Sequence, residues 1–201
     1  RDRVERLSAL RRHEEVSTQA SVSRPLAVPG WVPGLLVIVG AGMVGASLAC
    51  ILERSRQHGA LSILLVESAV IDLDAPAAQP SFDARSTVLS YGTVDYLREL
   101  GLWEELKSDA EAIQKIHVSD QGKFGAVRMD NAELGVDALG YVIENRLLGK
   151  MFNKRLAAIG NLEICSGVSV SNIKPEPSGM KVTLEDGTQQ SSLTTALVVM
   201  A

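Results

Sequence analysis

The most constraining feature of this chain is the six-residue stretch GAGMVG at 40–45, set between an apolar run and an amphipathic segment. The run LLVIV at 35–39 is apolar and β-branched without alternation, the pattern of a strand covered on both faces in a parallel sheet. The segment at 44–58, VGASLACILERSRQH, gathers Leu48, Ile51 and Leu52 on one side and Glu53, Arg54 and Arg56 toward the other. That spacing predicts a helix, with Gly59 as its stop. A second apolar run, LSILLV at 61–66, ends on Glu67, about twenty positions past Gly45. Strand, glycine turn, helix and strand with an acid at its tip make a complete βαβ unit.

Each position in the turn has its own physical task. Gly40 permits a tight exit from the strand, Gly42 lets the backbone come close to a diphosphate, and Gly45 lets the helix pack against the sheet. The start of the helix, at Met43 and Val44, presents amide hydrogens and a partial positive charge. The candidate cradle is therefore Gly40, Ala41, Gly42, Met43, Val44 and Gly45, with the Glu67 carboxylate placed to accept from a ribose hydroxyl and to repel a 2′-phosphate. Glycine-rich turns also occur purely for packing, and that is the competing reading. The strand–turn–helix context and the acid at the right distance favour a dinucleotide, leaving NAD and FAD both open.

Composition removes other classes. With 46 % hydrophobic and 22 % charged residues the chain is globular in type. A net charge of -4 and only 4 % aromatic residues give neither attraction to phosphate backbones nor stacking platforms, so nucleic acid is not an expected partner. Cys50 and Cys165 are far apart and fit no CxxC or metal spacing, so they read as small buried hydrophobes in a reducing, cytoplasmic setting. His117 lies in the alternating stretch KIHVSD without a Cys or His cluster, so no metal site is expected. No apolar run is long enough to span a bilayer.

The remaining pattern completes an α/β fold. Residues 1–34 read as a flexible appendage: RDRVERLSALRRHEEV has helical spacing at Val4, Leu7 and Leu10, and TQASVSRPLAVPGWVPG is linker-like. The acids Asp2, Glu5, Glu14 and Glu15 argue against a transit peptide. The domain is expected over 35–201. Asp120 and Gly122 mark a hairpin whose returning strand is FGAVRM, and Asn145 is expected to cap a helix with the stripe Leu147, Leu148, Met151, Phe152 and Leu156, ending at Gly160. NLEICSG gives a strand, VSVSNIKPEPSG and MKVTLEDGTQQ an antiparallel excursion with a turn at Asp186-Gly187, and TTALVVMA another buried parallel strand. The expected class is a Rossmann-like domain with a parallel sheet and an antiparallel β excursion.

Three further segments narrow the choice of cofactor. FDARSTVLSYGTVDYLRELGLWEEL, KIHVSDQGKFGAVRM and YVIENRLLGKMF resemble the flavin hydroxylases of ubiquinone biosynthesis, which act on polyprenyl phenols such as 2-octaprenyl-6-methoxyphenol, within the p-hydroxybenzoate hydroxylase type of FAD monooxygenase. The resemblance runs from about residue 35 to the end. It implies FAD as cofactor, NAD(P)H as electron donor, and a polyprenyl phenol and O2 as substrates. It makes Gly40, Gly42 and Gly45 the pyrophosphate turn and Glu67 the ribose ligand. Arg85 in FDAR would lie along the FAD, Arg146 in ENRLL would reach it from a helix start, and Val170 in VSNI would hold the adenine through its backbone. On their own residues, Arg85 and Arg146 also fit a solvated loop and an ordinary helix surface. Asp83 is left without a role, and no catalytic acid or base is expected.

In the resembling family, an Asp-Gly motif follows the strand matching TALVVMA, and a Gly-Asp motif comes later. The expectation is thus an N-terminal part, truncated at its C-terminus, that binds FAD weakly at best and does not hydroxylate. The parent enzyme would associate with the inner membrane surface or with a ubiquinone-synthesis complex. Two alternatives stay open: an FAD monooxygenase for another aromatic substrate, and a non-catalytic dinucleotide-binding module.

Overall fold

The computed structural model describes residues 21–23, 34–54, 61–72, 80–160 and 162–201. The helix expected near residues 4–10 lies outside them. The chain divides into two compact units, one of Arg1–Gln79 with Phe152–Ala201 and one of Pro80–Met151.

The first unit is built on a five-stranded sheet. Its strands are β1 (Ser21–Ser23), β2 (Leu35–Val39), β3 (Ser62–Glu67), β9 (Leu162–Ser166) and β13 (Leu197–Met200), in the order β1-β9-β3-β2-β13. Every pairing is parallel, with Leu36 opposite Ile63 and Leu64 opposite Glu163. The unbroken apolar runs explain this. Val37, Ile38 and Leu65 of the inner strands are fully buried, as are Ile164 and Cys165 of β9. A helix, α1 (Met43–Arg54), follows β2. Its deepest positions are Ala46, Ala49 and Cys50, while Leu48, Ile51 and Leu52, expected to form the apolar face, are half-buried. Small side chains let the helix axis come close to its support, so the deepest contact falls to them. Burial pushes the Cys50 thiol up to about 12.

A three-stranded antiparallel sheet, β10 (Ser169–Glu176), β11 (Gly179–Glu185) and β12 (Gln190–Thr195), forms the expected excursion. Val182, Leu184 and Leu193 from it join Leu35, Val37, Leu64, Val66, Cys165 and Val168 in one core cluster. Fully buried Thr195 ties the last turn into the main sheet, its hydroxyl donating to the Leu35 carbonyl at 2.7 Å.

Two expectations need correction. β13 is parallel to β2 but stands at the sheet edge, with Leu197 and Met200 exposed, because β2 pairs with only one of its flanks. Ser21–Ser23, inside the stretch read as linker, forms the opposite edge strand against β9. The hairpin turn expected at Asp186-Gly187 is present, as a four-residue loop, since Glu185 pairs with Gln190. There Gly187 has φ +86° and the Asp186 carboxylate accepts from the amides of Thr188 and Gln189.

The second unit holds β4 (Ser86–Ser90), β5 (Glu111–Ile113) and β8 (Gly140–Glu144), antiparallel in the order β4-β8-β5. Ser90 caps α2 (Tyr91–Glu99) by accepting from the Thr93 amide. Val94, Leu97, Leu102 and Ile143 are buried, and Trp103 meets Tyr141 edge to face at 4.7 Å between ring centres. The expected hairpin is present as β6 (Lys115–Ser119) and β7 (Ala126–Asp130), with Gly122 at φ +78° in its turn. Its faces differ. Lys115 pairs with Asp130 at 2.9 Å and Arg128 donates to His117 Nδ1 at 3.2 Å on one side, while Ile116–Met129 and Val118–Val127 oppose each other on the other. His117 is thus a strand-face residue. A short α3 (Asn131–Leu134) follows, and α4 (Asn145–Ala157) leaves from β8. The expected stripe on α4 is buried at Leu148, Met151, Phe152 and Leu156 and half-buried at Leu147.

Candidate dinucleotide-binding site

In the first unit, the glycine turn has the shape its sequence requires. Gly40 has φ +101°, and its amide donates to the Val66 carbonyl at 2.8 Å. A Cβ there would sit 2.5 Å from the Ala201 carbonyl oxygen. A Cβ on Gly45 would lie 1.9 Å from the Gly40 carbonyl oxygen and 3.2 Å from Ile38 Cγ2, so this glycine serves the closure of the turn more than the helix–sheet contact. The first helical bond runs from the Ala46 amide to the Gly42 carbonyl at 2.9 Å. Ala41 is fully buried, Gly42 and Met43 are half-buried, and Val44 is 65 % exposed, so the helix start opens to solvent at Val44. The first turn carries no acidic residue of its own, so no side chain within it competes for its amide hydrogens.

The structure brings Glu67 to this turn. Its Oε2 accepts from the Ala41 amide at 2.8 Å, and its Oε1 accepts from the Ala69 amide at 2.8 Å and the Ser68 hydroxyl at 3.0 Å. The Glu67 carbonyl accepts from the Val168 amide at 3.0 Å, which fixes the strand tip from the side of β9. Val170 lies two residues further on, in β10 opposite Leu184, with its side chain against the core cluster. Glycines at 40, 42 and 45, a helix start without acids of its own and a half-buried carboxylate beside it are the features a dinucleotide's diphosphate and ribose require.

Arg85 and Arg146 belong to the second unit, where they come together at one corner. The Asn145 amide donates to the Arg85 carbonyl at 2.8 Å and the Arg146 amide to the Asp83 carbonyl at 3.0 Å. Both guanidiniums are exposed, 75 % and 60 % by side chain, and each is held by the acid two residues before it. Arg85 Nε donates to Asp83 Oδ2 at 2.6 Å and Arg146 Nε to Glu144 Oε2. The outer guanidinium nitrogens still face solvent and suit an anion.

Sequence reasoning missed the organiser of this corner. Asp83 Oδ1 accepts from the Arg85 amide at 2.9 Å and from Asn145 Nδ2 at 3.5 Å. The backbone amide of Arg85 is the largest cause that holds the Asp83 carboxyl below the ordinary range. The Arg146 guanidinium lowers Glu144 in the same manner, and Glu144 raises Arg146 in return. Asn145, expected as a helix cap, is instead the first helical residue, and buried. Its side chain accepts from Thr87 Oγ1 at 2.5 Å and reaches Asp83, because β4 runs beside the helix start. The one available signal was the repeated acid-x-Arg spacing in DAR and ENR. Among the described residues, no group of His, Cys, Asp and Glu could hold a metal ion, and no helix is long and apolar enough to cross a membrane.

Comparison with known proteins fits this geometry. Ubiquinone hydroxylase UbiL of Rhodospirillum rubrum is 29 % identical over 154 residues, covering 76 % of this chain and 34 % of that protein. The 3-demethoxyubiquinol 3-hydroxylase of Escherichia coli is 31 % identical over 126 residues, 63 % of this chain and 31 % of that one. The chain thus spans about a third of the length of these curated relatives. Among solved structures, the anhydrotetracycline hydroxylase OxyS of Streptomyces rimosus shares the fold with a TM-score of 0.65 at 20 % identity, over 83 % of this chain and 31 % of that one. A family described as FAD binding domain matches residues 35–201, the span from the first strand of the βαβ unit to the last residue. With that span matched and the turn, helix start and acid assembled in one unit, this chain belongs to the FAD binding domain family.

Proposed function

We propose that the chain is the nucleotide-holding part of an FAD-dependent hydroxylase that acts on the aromatic ring of a polyprenyl phenol in ubiquinone synthesis. The observation that carries the reading is the contact of the Glu67 carboxylate with the amide of Ala41; it supports a role for this acid as the sugar acceptor beside a diphosphate turn. Gly40 to Gly45 receive the diphosphate, Glu67 the ribose, and the Val170 backbone the adenine. The same reading has Arg85 and Arg146 lie along the cofactor, and within their own unit each guanidinium is bonded by its own neighbouring acid.

Bound FAD, reduced by NAD(P)H, supplies the chemistry that activates O2 toward an electron-rich ring. The residues of this chain bind and orient, and none of them is assigned a proton transfer. The names of the curated relatives support the substrate class. A polyprenyl substrate is held in a bilayer, so the same reading has the parent enzyme work from the cytoplasm at the inner membrane surface.

Quenching of flavin fluorescence on titration with the purified chain tests the cofactor. Saturable quenching supports it, and none up to about 1 mM FAD, a binding energy of only about 4 kcal/mol, refutes it. The substrate is tested by whether the intact parent gene restores quinone synthesis in a strain that lacks the hydroxylase. Good expression without rescue would point to another aromatic substrate or to a non-catalytic module.

A further inference from the structure

The Glu67 carboxylate is engaged by the protein's own donors on both oxygens. A carboxylate offers about four lone-pair positions. Three are filled: by Ala41 N–H on Oε2, and by Ala69 N–H and the Ser68 hydroxyl on Oε1. Ala41 is fully buried between the two glycines that define the turn. A buried amide without an acceptor is costly, so its single long-range bond to Glu67 has structural weight. The preceding amide, of Gly40, is held by the carbonyl of Val66 at 2.8 Å. Two successive amides of the turn are therefore fastened to two successive residues at the tip of β3, one by main chain and one by side chain.

We propose that Glu67 is a positioning residue for the diphosphate turn: by holding Ala41 N–H it presets the direction in which Gly42 and the start of α1 point, before any nucleotide arrives. The ribose then joins at the one lone pair left on Oε2, beside Ala41, and a second sugar hydroxyl enters only by displacing the Ser68 hydroxyl, the one donor of the three that can rotate away. This deepens the FAD reading and rests on it for the identity of the ligand. The clamp itself is a property of the chain alone.

Two measurements separate the clamp from simple sugar binding. The first is amide hydrogen exchange resolved at Gly40, Ala41 and Ala69 without added nucleotide, in the wild type and in Glu67→Ala. Exchange at Ala41 should quicken by roughly tenfold or more, the worth of one good hydrogen bond, while Gly40 stays protected by Val66. Unchanged exchange at Ala41 overturns the proposal. Should Gly40 quicken equally, Glu67→Gln decides: its single acceptor oxygen must serve two amides, so Ala41 or Ala69 quickens while Gly40 does not. Protection kept at both amides, or lost equally at all three, overturns the clamp.

The second measurement is the affinity for ADP and for 2′,3′-dideoxy-ADP, which has no ribose hydroxyl for Glu67 to hold. Removing a negative charge beside a diphosphate would by itself tighten binding. The clamp predicts the opposite, a weakening of the dideoxy probe by roughly tenfold in Glu67→Ala. Equal or tighter binding means that Glu67 serves the sugar alone. If the wild type takes up neither FAD nor either probe, the cofactor reading fails, while the exchange measurement still judges the clamp.

Discussion

At the scale of single residues, two glycines and one carboxylate decide what the turn can do. Gly45→Ala would push a methyl group to within 1.9 Å of the Gly40 carbonyl oxygen, so the turn must shift. The expected outcome is a loss of about 1–3 kcal/mol in stability and at least roughly tenfold weaker FAD binding, read from urea unfolding and flavin quenching. Asp83 yields a pH prediction. Its carboxyl lies below the ordinary value of 3.8, held there chiefly by the Arg85 amide, so its contribution is present above that value and is lost as the pH falls through the lowered one. The wild type should therefore be more stable than Asp83→Asn near neutral pH, and the gap should close only below pH 3.8, as urea midpoints against pH would show. A gap constant down to about pH 2 would mean that the carboxylate charge does not matter. The glycines and Glu67 were legible in the sequence because each task is set by a short spacing. The bonds of Asn145 to Thr87 and Asp83 were not, since they join residues 58 and 62 positions apart and depend on how β4 lies against the start of α4.

At the scale of elements, uniform apolar runs translated directly into parallel strands. β2, β3 and β9 lie where their sequences place them, and Leu64→Ala, which empties a site in the shared core, should cost about 2–5 kcal/mol by urea denaturation. A loss under about 1 kcal/mol would mean that the cluster is not close-packed there. Elements were misread where position in the sheet, and not composition, decides burial. LVVM in β13 has the same apolar character as LLVIV in β2, yet one is an edge and the other interior. In α1 the bulky residues suggested the inner face, whereas close approach selected Ala46, Ala49 and Cys50. The β6–β7 hairpin was visible from its turn residues, while the separation of its faces into polar and apolar pairs follows from register, which a sequence read strand by strand does not fix.

At the scale of the whole molecule, the chain forms two units, and the first is discontinuous in sequence, closed by the return of residues 152–201 to the strands of the βαβ start. The class of fold was legible, because strands separated by helices with an antiparallel excursion admit few arrangements. The division into units was not, because it depends on which elements share a core. If FAD binds only the folded chain, saturation at about one hundred times Kd should stabilise it by about 2.7 kcal/mol, seen as a rise in melting temperature with FAD concentration. No rise at saturating flavin would show that the cofactor gains nothing from the fold.

The place where the last described residue meets the first glycine has a consequence for which substitutions the turn can survive. Gly40 answers two separate demands, a left-handed dihedral and the nearness of the Ala201 carbonyl, which accompanies the 2.8 Å bond from the Ala201 amide to Val39. Asparagine, which often satisfies the first demand elsewhere, brings the same Cβ and fails the second. No single mutation at position 40 can meet both, so any side chain placed there requires the main chain at 40 or at 201 to move, whatever residue stands at 201.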